Sequence, residues 1–236
     1  MHVRRLVLPA LWAALSGCAT TVTNEPASYT FTDDSHGNMT VLDSRLSRLE
    51  KLAQEYPKRS DIPYQIAGVH YQKADLKASA KSLERAIYID PSEAKYHYHL
   101  GRVYLRMREL DRAETAFRRA LDLMPAGRYT GGHAALGYVL CQKGRWDEAR
   151  AEFEVCQRVD PKDPTPYFFL GCVDDARKDS KGAVANLKEY LRRGGKSYQT
   201  KAAAILASYG EAPPPRDPNA EAAEESDVLL GDDNSP

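Results

Sequence analysis

From residue 40 onward, apolar and polar positions alternate with a helical period. Leu42, Leu46, Leu49, Ala53 and Tyr56 recur at i, i+4, i+7, i+11 and i+14, a spacing that gathers side chains on one face of an α-helix. Thr40-Val-Leu-Asp43 pairs a hydroxyl with an acid three residues on, a helix-start signal. Similar patterning predicts four helix pairs, over Asp61–Asp90, Ala94–Met124, Gly131–Asp160 and Thr165–Arg193. A last apolar stripe, Tyr198, Ala202, Ile205, Leu206 and Tyr209, predicts a closing helix over Lys196–Tyr209.

The pairs keep a common phase. Pro57, Pro91 and Pro125 stand 34 residues apart, Pro161 follows after 36, and Gly195 takes the stop position after another 34. Leu100-Gly101, Leu136-Gly137 and Leu170-Gly171 recur at one place in the unit, with Ile66-Ala67 as the counterpart in the first. The two extra residues fall between Pro125 and Gly137, in the loop 126–132. Within 94–125 the order Gly101, Tyr104, Ala113, Phe117, Ala120, Pro125 resembles the tetratricopeptide (TPR) repeat. The resemblance implies two antiparallel helices per unit. Gly101 and Ala113 would let them approach, Tyr104, Phe117 and Leu121 would fill the space beside them, and Pro125 would stop the second helix.

The expected fold is therefore all-α, a TPR helix-turn-helix solenoid with capping helices. Residues 58–195 would form four repeats. Residues 40–57 would be a degenerate half-repeat covering the N-terminal end, and 196–210 a C-terminal cap, because each repeat buries its apolar face only against a neighbour. Ala86 and Ala120 mark the close approach of one unit to the next, where the third unit has Cys156 and the fourth Tyr190. A tyrosine there suits a unit whose outer neighbour is not another standard repeat.

The ends of the chain read differently. Residues 1–17 carry Arg4 and Arg5, then a short apolar core from Leu6 to Leu15, too short for a permanent span and expected to be a cleaved signal peptide. Leu15-Ser16-Gly17-Cys18 resembles the lipobox of bacterial lipoproteins. That resemblance implies acylation of Cys18, and Ala19 after it implies the outer membrane, with the protein facing the periplasm. Several acyl chains anchor a soluble body stably. Residues 18–39, rich in Thr, Asn, Ser and Asp, are expected to be a lipidated flexible tether. Residues 211–236 are expected to be a disordered tail. The tail holds eight acidic residues against Arg216 alone, so the neutral total hides an acidic end and a basic body.

Composition and motifs exclude more than they suggest. Zero net charge gives no sign of nucleic acid. Gly194-Gly195-Lys196-Ser197 follows a helix and lacks the first glycine of a phosphate loop. His97 and His99, two apart on a helix, cannot share a metal and are expected at the surface or in a groove. No HExxH, CxxC or GxSxG occurs, and no carboxylate pair has an acid–base context. No enzyme, cofactor, metal or small-molecule substrate is expected. Of the three cysteines in the body, Cys156 reads as packing, while Cys141 and Cys172 lie on faces of consecutive repeats that suit a disulfide.

Function is then expected on the concave face, which the TPR resemblance lines with the first helix of each pair. The positions carried over are Tyr64 and Tyr71, then Tyr98, Arg102 and Arg106, then Tyr138 and Gln142, then Phe168. Tyrosine and arginine dominate binding hot spots because each joins apolar area to directed hydrogen bonds. Tyr64 and Gly68 stand where chaperone-tail binders carry lysine and asparagine, which argues against a carboxylate clamp. A lipobox, a tether and a short TPR stack together resemble the pilotin-like lipoproteins of type IV pili (the PilF, PilW and Tgl kind). That likeness implies a protein partner, an unassembled secretin subunit, held near the outer membrane. The alternative is an adaptor lipoprotein that recruits peptidoglycan hydrolases or other envelope machinery.

Overall fold

The computed structural model describes residues 39–124 and 130–215. The expectations placed on Cys18, on the segments before residue 39, on Pro125 and on the tail beyond residue 215 lie outside them. Ten α-helices follow in order among the described residues: α1 (Met39–Glu55), α2 (Asp61–Gln72), α3 (Leu76–Ile89), α4 (Ala94–Arg106) and α5 (Leu110–Leu123). Then come α6 (Thr130–Gln142), α7 (Trp146–Val159), α8 (Thr165–Ala176), α9 (Ser180–Arg192) and α10 (Gln199–Ser208). Each helix packs mainly on its neighbours in the chain, most extensively within the pairs α2/α3, α4/α5, α6/α7 and α8/α9.

The closest approach inside each pair follows from a missing side chain. A Cβ on Gly101 would lie 2.7 Å from the Phe117 ring, and one on Gly137 2.9 Å from Phe153. One on Gly171 would meet Leu187 at 2.7 Å. The first pair places Ala67 at the equivalent register opposite Leu83, both fully buried. A small residue at this register thus leaves room for a bulky partner, phenylalanine or leucine, as close packing requires.

The turns inside the pairs are built alike. Ala74, Arg108, Gly144 and Lys178 adopt φ of 59°, 63°, 72° and 66°. In each case the next N–H reaches back to the last turn of the helix: Asp75 to His70, Glu109 to Tyr104, Arg145 to Leu140 and Asp179 to Asp174, at 2.9 Å. This is the Schellman C-cap, which satisfies carbonyls the helix leaves open. Asp75 and Asp179 then cap α3 and α9, accepting from the Ala78 and Gly182 N–H at 3.0 Å. Between pairs, the Asp90 and Asp160 carboxylates accept the Ser92 and Lys162 N–H at 3.1 and 3.0 Å, which turns the chain around Pro91 and Pro161.

The two ends of the stack are covered differently. α1 lays Leu42 and Leu49 on Val69, a small cluster separate from the main core. At the other end Tyr190 is fully buried. Its hydroxyl accepts the Tyr198 N–H at 2.7 Å, and Phe168 stacks on Tyr198 with centroids 4.3 Å apart and planes 8° off parallel. The bulky side chain at the small-residue position is what seats α10.

Candidate functional site

The residues expected in the groove separate into two classes. Tyr71, Tyr98 and Phe168 are 1–3 % exposed and belong to the core, so they do not line a free surface. The sequence put them in the register of groove positions, but Arg102 and Arg106 lie over Tyr71, His99 and Phe117 pack against Tyr98, and Tyr198 stacks on Phe168. Arg102, 4 % exposed, is buried with its guanidinium over the Tyr71 and Tyr98 rings at 5.8 and 6.0 Å. The accessible residues are Arg106, exposed, and Tyr64, Tyr138 and Gln142, half-buried. Arg106 stands 4.5 Å over the Tyr71 ring, a contact that fixes a long cationic side chain at small entropic cost. Gln142 donates to the Tyr138 hydroxyl at 2.8 Å. Burial, partly offset by the nearby Arg108 guanidinium, pushes the Tyr138 phenol up to about 12, so it remains a neutral hydrogen-bonding group.

An aromatic cluster that sequence reading missed adjoins this face. Tyr64 lies 5.1 Å from Tyr96 and 5.4 Å from His99 between ring centroids. The Lys95 ammonium stands over both tyrosines at 5.7 and 5.5 Å. Tyr96 shares a 3.0 Å hydrogen bond with Ser60. His99 is buried, contrary to the surface or groove place expected for it, and burial drives its basicity well below the ordinary histidine value. The alternation Tyr96, Tyr98 and His99 beside Lys95 was the available signal, but periodicity alone does not say which ring turns inward.

The first-helix face expected to line the groove carries its cations mainly in the second repeat. Lys95, Arg102, Arg106 and Arg108 come from α4 and the turn after it. Carboxylates near its two ends are engaged: Asp61 accepts from Arg59 at 2.6 Å, and Asp175 accepts from the Tyr209 hydroxyl. Cys141 and Cys172 are both free thiols, so the disulfide considered between them is not formed, and Cys156 is free as well. All three are buried, and desolvation pushes the Cys141 and Cys156 thiols up to about 12 and raises Cys172 further. Protonated, inaccessible sulfur is packing material. Cys156 also points at the start of α6, its thiol 3.4 Å from the Thr130 carbonyl.

A second polar feature ties the middle repeats together away from the aromatic cluster. Glu114 on α5 accepts from Lys143 at 2.6 Å, from Arg145 at 2.7 and 2.8 Å and from Arg118 at 3.0 Å. Burial opposes its ionisation, but these cations outweigh the penalty and hold the carboxyl at about 2. Lys143 and Arg145 come from the turn after α6, so the node links consecutive repeats.

Family models of the tetratricopeptide repeat match residues 62–93 and 94–126. The fold is a TPR solenoid. A curated relative, BBSome complex member BBS4 of Xenopus tropicalis, is 25 % identical over 151 residues, which is 64 % of this chain and 29 % of that protein. The chain thus spans under a third of that relative's length. Among solved structures, MamA superposes with a TM-score of 0.62 at 19 % identity, covering 76 % of this chain and 99 % of that one. YrrB, described as a TPR protein with an unusual peptide-binding site, gives 0.59 at 17 %, covering 87 % and 97 %. PilF of Pseudomonas aeruginosa gives 0.59 at 16 %, covering 73 % and 82 %. At these identities the likeness is one of fold. A TPR stack is a protein-interaction scaffold.

Proposed function

We propose that the chain is a lipid-anchored scaffold of the bacterial outer membrane that holds an envelope protein against its concave face, and that this partner is a type IV pilus secretin subunit. The observation that carries the reading is the accessible wall of Arg106, Tyr64, Tyr138 and Gln142 around a cationic centre. Such a wall suits an extended or helical segment with acidic and apolar side chains, anchored by a few tyrosine and arginine contacts. Acylation at Cys18 supplies the second element. It would keep the groove beside the membrane and raise the local concentration of captured subunits where the ring forms. The fold-level likeness to PilF supports the pilus assignment.

The test is a cross-linked pull-down of the full lipoprotein from envelope membranes, beside an Arg106→Glu, Tyr138→Ala variant. Both positions are accessible, so the variant keeps its core. Secretin captured by wild type and reduced about tenfold or more, over 1.4 kcal/mol, in the variant supports the reading. Murein hydrolases in place of secretin would move the protein to the adaptor class. Equal capture by both forms would remove this wall from the site.

A further inference from the structure

We propose that the exposed face of α3, with the cations that flank it, is a second interaction surface and docks on an anionic phospholipid bilayer. It lies on the second helices of the pairs, apart from the first-helix wall assigned above, and it needs no acyl anchor to bind.

One helical period builds the face. Lys77, Lys81, Arg85 and Tyr88 stand at i, i+4, i+8 and i+11 of α3 and are all exposed, Tyr88 at 89 %. Ala80, Leu83 and Ala86, which α3 buries, lie on its other side. Lys51 on α1 and Arg119 on α5 continue the row, each 34 residues from Arg85. The contacts agree with that register. Glu84 accepts from the Tyr104 hydroxyl at 2.7 Å, and Glu50, the residue before Lys51, acts in the same way on His70 through its charge. Arg112 on α5 reaches Glu84 at 3.2 Å, so α3 and α5 lie side by side.

The charge on this face works against the helix that carries it. Like charges at i and i+4 destabilise a helix, and α3 places three in line. None of Lys51, Lys77, Lys81, Arg85 and Arg119 has an ion pair among the described residues. The neighbouring Asp43, Glu84 and Asp111 are engaged elsewhere, with Lys73, Arg112 and Lys143. The exposed acids nearby, Glu50, Glu55 and Asp122, fall on α1 and α5, so along α3 the cations meet no free carboxylate. Other second helices do not repeat the stripe. The places of Lys77, Lys81 and Arg85 are taken by Asp111, Thr115 and Arg119 in α5 and by Lys181, Ala185 and Glu189 in α9. The stripe therefore belongs to this repeat and not to the fold in general.

The occupant follows from the charge and from how little apolar area surrounds it. A protein partner is held at a packed core that excludes water, whereas the exposed stripe offers one large ring, Tyr88. Anionic headgroups are mobile and need no such core. They gather under each cation, and each lysine or arginine near a charged leaflet strengthens binding about fivefold. Tyrosine suits the same boundary, because its ring sits among the headgroups while its hydroxyl stays in water. A cationic helix face with one exposed tyrosine thus complements a bilayer surface.

The experiment places an environment-sensitive nitrobenzoxadiazole dye on the stripe, through Tyr88→Cys in the full chain carrying Cys18→Ser. Cys141, Cys156 and Cys172 are buried and stay unlabelled in the native protein. Vesicles of phosphatidylglycerol and phosphatidylethanolamine should shift the emission to the blue, and vesicles of phosphatidylcholine should not. Lys81→Gln with Arg85→Gln relieves the repulsion along α3 and should melt no lower than wild type. It should raise the lipid needed for half the response about tenfold or more. No response, equal responses to both kinds of vesicle, or a titration unmoved by the neutralised pair would overturn the proposal. So would an envelope protein captured by wild type and lost from the neutralised variant while vesicles leave the dye unchanged, which would assign the stripe to an acidic protein. The pull-down of the groove variant reads Arg106 and Tyr138 on the first-helix face, so the two readings fail separately.

Discussion

Gly101→Ala adds one methyl group where α4 crosses α5. The new carbon would stand 2.7 Å from Cδ1 and Cε1 of Phe117 and 3.0 Å from Cγ. Phe117 cannot retreat freely, since it is fully buried with the Tyr98 ring 5.7 Å away between centroids. Overpacking of this kind costs about 1–3 kcal/mol, while replacing glycine within a helix returns about 0.5–1 kcal/mol. The net expectation is a loss centred on about 1 kcal/mol, within a range of about 0–2.5 kcal/mol, or roughly 2–4 °C in Tm for the central value at about 2–4 °C per kcal/mol for a domain of this size. The first repeat supplies the comparison, because Ala67 and Leu83 are both fully buried at this register, although a Cβ on Gly171 would meet Leu187 at 2.7 Å in the fourth. Adding Phe117→Leu should recreate that pairing, so the double variant should be more stable than the sum of the single changes predicts, by about 1 kcal/mol. Urea unfolding of the four proteins, followed by circular dichroism, measures the cycle. A Gly101→Ala protein more stable than wild type, or strictly additive changes, would refute the close-approach account.

The remaining expectations are simpler. Asp75→Ala removes the carboxylate that caps α3 and should cost about 1 kcal/mol, read from the shift in urea midpoint. Glu114 ionises at about 2 in the folded protein, below the ordinary glutamate value of about 4.3. The stabilisation from its cation node is therefore full above that ordinary value and is lost as pH falls toward about 2. Acid unfolding should become shallower over that window in Glu114→Gln, and an unchanged pH profile would contradict the node. Cys141, Cys156 and Cys172 should resist alkylation in the native protein and react fully after unfolding without a reductant; a Cys141–Cys172 peptide in a non-reduced digest would contradict the free thiols of the structure.

The repeat was legible because TPR packing is local and periodic. The spacing of Leu-Gly pairs, prolines and Phe117-type aromatics encodes contacts that recur every 34 residues, so sequence alone determined the class of fold and the phase of its helices. The turn caps were less visible. Arg108 and Lys178 hold the left-handed conformation usually given to glycine, and only the hydrogen bonds to Tyr104 and Asp174 reveal it. Tyr190 was readable as an irregularity, but its hydroxyl contact with Tyr198 was not.

For the candidate site the division is sharper. Helical periodicity assigns a residue to a face within about a turn, yet exposure depends on what the neighbouring helix does with the same space. Tyr71, Tyr98 and Phe168 share the register of groove residues, but adjacent side chains cover them. Arg106 and Tyr138 remain reachable at similar register positions. The sequence by itself determined an all-α repeat with an aromatic and cationic first-helix face. The tertiary structure decided which of those side chains face solvent, which cations converge on Glu114, and which thiols are sealed, because burial and pairing arise from residues that meet only when the helices stack.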